Sequence, residues 1–318
     1  MSRATTAHLA ALAALAALTA FAVARGGDVS TLAAALAGRQ PDLTIVLHFR
    51  LPRILAALLT GAVLGMAGTM MQVMLRNPLA SPDIIGFGAG AAAGAAIAML
   101  TGLSAAPGAM AGGLLTAALV MALAWRDGIS PLALVLIGVG LALMLATLTD
   151  VLLSLGPAIQ AAEIVRFLTG SFAASTWGGV GLLAIAASIG GAAFAWLAFR
   201  VDRLEMGDDL ATALGLSPDA TRIAVTGIAA ILVSISVAVV GPLAFVAFLA
   251  GPLARLISGQ PGTCLALSAI TGALIALGAD ALSRVALMGV TLPAGVFTAI
   301  VGGPVMLLLL INGARRRE

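Results

Sequence analysis

Lysine and tyrosine are absent from this 318-residue chain, cysteine occurs once, histidine twice, and only 9% of the residues are charged. Each scarcity removes a class of chemistry. Without lysine there is no P-loop, because that motif needs its lysine to reach the phosphates of a nucleotide. Cys264 alone excludes an intrachain disulfide and a cysteine-rich metal site. His8 and His48 stand too far apart in sequence for a local metal motif and read as surface or interfacial side chains. No H-E-x-x-H, no D-D-x-x-D and no nucleophile elbow occurs, so intramembrane hydrolysis or prenyl transfer has little to stand on. All sixteen basic residues are arginine, the formal net charge is only +3, and the arginines are scattered between apolar runs. That pattern offers no groove-sized basic patch and implies no nucleic-acid partner.

What the chain has in abundance is apolar surface: 61% of residues are hydrophobic and the mean hydropathy is +1.15. A soluble domain of this length could not cover it. About ten runs are long enough to be membrane helices, near 7–24, 54–75, 84–101, 107–125, 131–153, 179–199, 222–240, 242–257, 263–282 and 293–311. No soluble domain fits between them, so residues 1–318 read as a single all-α transmembrane domain. The first run also has features of a signal peptide, with Ala22-Val23-Ala24 as a small-residue cleavage site, but it is long for that purpose and reads as a retained helix.

With an even number of spans both termini share one side, and the arginine distribution places them in the cytoplasm. Arg3, Arg76, Arg126, Arg200, Arg203, Arg222, Arg255 and Arg315 to Arg317 then lie inside, against Arg25, Arg39, Arg50, Arg53, Arg166 and Arg284 outside. Asp150 and Asp280 fall near span ends, where a proton-coupled secondary transporter would place relay groups nearer the midplane.

Four sequence blocks carry more information than composition. Residues 50–90 read RLPRILAALLTGAVLGMAGTMMQVMLRNPLASPDIIGFGAG. Arg50 and Arg53 precede a full span, and Asn77, Pro78, Ser81 and Pro82 end it, with Ser81 or Asp83 as candidate caps for the next helix. Met66, Met70 and Met74 form one stripe, suited to helix packing or to a soft translocation path. Between the sixth and seventh spans, residues 200–222 are the most charged stretch of the chain. There Asp208, Asp209, Leu210, Ala211, Ala213 and Leu214 can form a short helix with an acidic start, stopped by Gly215 and Pro218. Such a helix is too short to stand alone and needs a partner surface; otherwise the segment is a solvated loop. The remaining blocks are Ala279-Asp280-Ala281-Leu282-Ser283-Arg284, and Val240 to Gly259 followed by Leu292 to Pro304.

Together these blocks, in this order, resemble the FecCD-type permeases, the membrane subunits of ABC importers for ferric siderophores and cobalamin. The resemblance spans roughly residues 45–310 and implies a type II importer permease fold. Arg50 and Arg53 match the family's RLPR, and Arg284 the arginine of A-D-x-x-x-R, which dock acidic residues of an extracytoplasmic binding protein. Local pairing or snorkelling to lipid headgroups is the alternative, since Asp280 and Arg284 stand at i, i+4.

Asn77, Pro78 and Leu79 correspond to the cytoplasmic gate, with residues 130–135 a poorer match to a second constriction. Gly207, Asp208, Asp209, Ala211, Leu214 and Gly215 match the L-G-D-x-x-A-x-x-L-G segment that couples to the ATPase, with Met206 in place of Leu. In the last block Ala247 replaces a glycine and Gly251-Pro252 replace Pro-His, while Arg255 is kept.

The implied assembly contains a second permease, identical or paralogous, two ATPase subunits and the binding protein, within a bacterial cytoplasmic membrane. ATP and Mg belong to the ATPase; the resemblance implies no metal, cofactor or catalytic residue in this chain. The implied cargo is an iron-siderophore complex, with cobalamin or haem as the alternative and a secondary transporter as the rival outside the family.

Overall fold

The computed structural model describes residues 3–25, 42–126, 128–260, 262–285 and 291–315; Arg39, Arg316 and Arg317 lie outside the described residues. In chain order the helices are α1 (Arg3–Arg25), α2 (Leu51–Met74), α3 (Phe87–Leu100), α4 (Ala105–Ala124), α5 (Pro131–Leu155) and α6 (Ala158–Leu168). They continue with α7 (Trp177–Leu204), α8 (Asp208–Ala213), α9 (Pro218–Val240), α10 (Val246–Ser258), α11 (Leu265–Ser283) and α12 (Ala294–Arg315). A short turn, Asp42–Ile45, and a π-helical turn, Val46–Arg50, lead into α2.

Each apolar run read from the sequence coincides with a helix. Among the described residues six helices, namely α2 with its lead-in, α4, α5, α7, α9 and α11, are long and apolar enough to cross a bilayer. Of the rest, α1, α3, α10 and α12 have shorter apolar stretches. At 1.5 Å per residue the 14 residues of α3 reach about 21 Å, less than the roughly 30 Å hydrocarbon core. The difference is made up by irregular backbone buried against protein: Ala80, Ser81 and Ile85 are almost fully enclosed before α3. Leu243 plays the same part before α10. Non-helical backbone at membrane depth is stable only when shielded from lipid in this way.

α2 is the axis of the bundle. Its most apolar window is 78% buried, whereas that of α5 is 17% buried. Close approach on α2 depends on glycine: a Cβ on Gly61 would collide with the Gly272 carbonyl of α11, and one on Gly68 with the Ala247 carbonyl of α10. Gly90 and Gly94 on α3 meet Gly112 and Gly108 on α4 in the same manner. Without such positions backbones cannot come so near. Met66, Met70 and Met74 are buried in this core, so the methionine stripe packs helices together. α1 lies against α10 and α11, with Ala7 and Ala11 beside Ala254 and Leu267.

Candidate functional site

Polar side chains gather at both ends of the bundle. At the end where α2 finishes, α8 is the organising element. Gly207 precedes it at φ 114° and Gly215 follows it at φ 79°, conformations that side-chain-bearing residues rarely adopt. Asp208 opens the helix, and its carboxylate accepts from Nη2 of Arg222 on α9 at 2.7 and 2.8 Å. The same carboxylate accepts from Nη2 of Arg76 at 3.0 Å. Arg222 is only 2% exposed and also donates through Nη1 to the Ile129 carbonyl at 3.0 Å. On its inner side α8 seats Ala211, fully buried, while Met206, Leu210 and Leu214 are 65%, 43% and 54% exposed. Those three apolar side chains, flanked by charge, are largely exposed among the described residues.

Arg76 connects this cluster to the turn that ends α2. The amides of Arg76 and Asn77 bond back to the carbonyls of Val73 and Gln72, a Schellman pairing that places Arg76 at φ 51°. Asn77 Oδ1 then accepts from the Leu79 amide at 2.9 Å, and the Ala80 amide bonds to the Asn77 carbonyl at 3.0 Å. Pro78 fits between them with its fixed φ. Ser81 Oγ accepts from the Ile84 amide at 3.3 Å, leading the chain toward α3. Asn77, Pro78 and Leu79 are thus held in one rigid turn at this end. Ser130, at the head of α5, caps that helix through the Ala133 amide.

Arg255 explains the altered α10 motif. It donates to Gln72 Oε1 at 2.8 Å and to Thr69 Oγ1 at 3.2 Å, tying α10 to α2. A side chain at Gly251 would overlap Gln72, so glycine there makes room for this pairing.

At the opposite end, Asp280 is fully buried between two arginines. Arg53 Nε donates to Oδ1 at 2.7 Å, and Arg284 reaches Oδ2 through Nη2 at 2.6 Å and Nε at 3.1 Å. Arg53 also donates to Ser283, and Arg284 to the Ala22 carbonyl, so the cluster joins α1, α2 and α11. The local pairing of Asp280 with Arg284 is therefore present, joined by a second partner. Arg50 stands one turn before Arg53, 8% exposed, with Nε and Nη1 free of hydrogen bonds. Among the described residues no group of three metal-ligating side chains comes together.

Comparison with known proteins follows the same outline. The model of the FecCD transport family matches residues 9–312. This chain belongs to the FecCD transport family. It is 39% identical over 298 residues to the ferric enterobactin transport system permease protein FepG of Escherichia coli, covering 91% of this chain and 90% of that protein. A probable siderophore transport permease of Bacillus subtilis, YfhA, is 35% identical over 287 residues, covering 86% and 83%. A solved inward-facing structure assigned to the metal-chelate type of ABC transporter superposes with a TM-score of 0.85 at 26% identity, covering 96% of this chain and 99% of that one.

Within this FecCD chain, several participants escape sequence reasoning. Arg76 and Arg222 read from the sequence as inside-facing charges with no stated partner, although both hold Asp208. The link from Arg53 to Asp280 spans 227 positions and has no local signature. α6 is not legible as an apolar run either, because Gln160, Glu163 and Arg166 break the run while forming one polar stripe of an amphipathic helix.

Proposed function

We propose that the chain is the membrane-spanning permease subunit of an ATP-driven importer for an iron chelate of the ferric siderophore class. The cargo is inferred from the relatives, which are named for ferric enterobactin and siderophore transport. One structural observation carries the coupling: α8 presents Met206, Leu210 and Leu214 outward from a base fixed by Asp208 and Arg222. A six-residue helix is unstable alone, and an apolar face pinned by an ion pair to the buried Arg222 suits a rigid docking element. Its partner is an ATPase subunit, which binds ATP and Mg, so hydrolysis belongs to that subunit and this chain is not itself an enzyme. The α8 end is cytoplasmic, together with both termini, in a bacterial cytoplasmic membrane.

A second permease chain, identical or paralogous, covers α5, whose exposed Leu132, Leu136, Val139 and Leu143 form a continuous stripe. An extracytoplasmic binding protein meets the opposite end near Arg50, Arg53 and Arg284. ATP-driven closure of the ATPase pair displaces α8 and tilts the bundles around a path between the two permeases, bounded inside by Asn77, Pro78 and Leu79.

The direct test replaces Leu210 and Leu214 with aspartate together. The variant should insert normally in the membrane, yet lose the ATPase on co-purification and lose uptake. An undiminished complex would overturn the docking role of α8.

A further inference from the structure

Arg76 occupies the position after a helix where glycine is favoured, since a side chain at φ 51° is strained. The backbone there would be easier without a side chain, so the guanidinium at this site calls for an explanation in what it touches. It touches Asp208, the first residue of α8, at 3.0 Å. Immediately after Arg76 comes the Asn77-Pro78-Leu79 turn, made rigid by the Asn77 side chain.

The two arms on Asp208 are unequal. Arg222 is 2% exposed and fixed to the Ile129 carbonyl, so it anchors Asp208 to the core. Arg76 and Asp208 are 38% and 39% exposed, so their pair can shift with the turn while charge keeps the two ends together. An anchored arm to α9 and a movable arm to the turn make a joint.

We propose that Asp208 is the joint between α8 and the 76–80 turn: displacement of α8 is passed through the Arg76 guanidinium to Asn77, Pro78 and Leu79. This inference rests on α8 being the ATPase-docking element. It adds the route by which docking reaches the mouth of the path.

Arg76→Gly is the decisive variant, because glycine accepts the observed φ and keeps the helix end while removing the ion pair. The experiment uses the complete importer, with its ATPase and binding protein, in proteoliposomes. Cys264 is changed to serine, and spin labels are placed at Leu79 and, as a distant reference, at exposed Leu103. In the otherwise native chain the distance between labels should differ between nucleotide-free and ATP-bound states. Arg76→Gly should keep the ATPase bound and the thermal stability unchanged or raised, but lose at least half of that nucleotide-dependent difference. Arg76→Lys should restore most of it, and adding Arg76→Gly to Asp208→Asn should lower it no further.

The proposal is overturned if the native chain shows no nucleotide-dependent difference, if Arg76→Gly retains all of it, or if Arg76→Gly sheds the ATPase. Failure of the underlying reading shows elsewhere: the Leu210→Asp, Leu214→Asp chain would then still bind the ATPase. If that chain loses the ATPase while Arg76→Gly keeps its full response, only the joint is wrong.

Discussion

Arg53 and Asp280 meet at 2.7 Å across 227 positions of chain, and the aspartate is wholly buried. Its other oxygen is taken by Arg284, so one anion holds two cations that would otherwise repel. Asp280→Ala leaves both guanidiniums facing each other without their counter-charge. Breaking a buried pair from one side typically costs about 3–5 kcal/mol. Thermal unfolding in detergent should show a clear loss of stability, smaller for Asp280→Asn, which keeps an acceptor. A melting temperature unchanged in Asp280→Ala would contradict the bridging role.

The same cluster ranks the arginines offered to a binding protein. Arg284 has Nε, Nη1 and Nη2 already committed and its side chain is 16% exposed, Arg50 is 8% exposed with Nε and Nη1 enclosed, and the Arg53 side chain is the most accessible of the three at 23%. Arg53→Gln should therefore slow association with the binding protein more than Arg284→Gln does. Reversing Arg50 and Arg53 together should slow it further, and the native rate should fall as salt rises. Association rates measured at low and high salt check this; a double reversal that docks at the native rate would make these arginines structural anchors.

Gly207 and Gly215 differ in a way that substitution can resolve. Neither has a neighbour near the place of a Cβ, so a side chain costs only backbone strain. Gly215, at φ 79°, lies close to the left-handed region that asparagine tolerates, while Gly207 combines φ 114° with ψ 152°, a conformation nearly confined to glycine. Gly215→Asn should keep ATPase association; Gly207→Asn should lose most of it, with about 1–3 kcal/mol of local strain. Equal behaviour of the two variants in a pull-down would refute the distinction.

Much of this architecture was legible in the sequence because lipid imposes a length and an apolarity on every crossing. The short α8 was legible too, since Asp208, Asp209 and the stops at Gly215 and Pro218 are local signals. The partners of its first residue were not. Arg76, Arg222 and Asp208 come together only when α2, α8 and α9 are assembled, and a left-handed arginine leaves no trace in composition. Asp280 shows both cases: its helical neighbour Arg284 is readable from spacing, and its distant partner Arg53 is not.

Asp83 supplies a stability test. It lies in the turn between α2 and α3; the residue as a whole is partly exposed, but its Oδ2 is enclosed and unpartnered. A carboxylate oxygen enclosed without a partner is costly, so Asp83→Asn should raise thermal stability at neutral pH. Melting curves in detergent check the sign; a variant that melts below the native chain would refute it.

The glycine contacts of α2 also bear on how the molecule can deform. Where Gly61 rests on the Gly272 carbonyl and Gly68 on that of Ala247, the backbones of α2, α10 and α11 are seated on one another with no flexible side chain between them. Sliding any of these helices by a fraction of a turn would drive a carbonyl into a Cα. They consequently form a keel that turns as one body. Within this chain α5 is the span least enclosed, at 17% of its window, so compliance during a transport cycle falls to the perimeter and to the seam where a second permease meets α5.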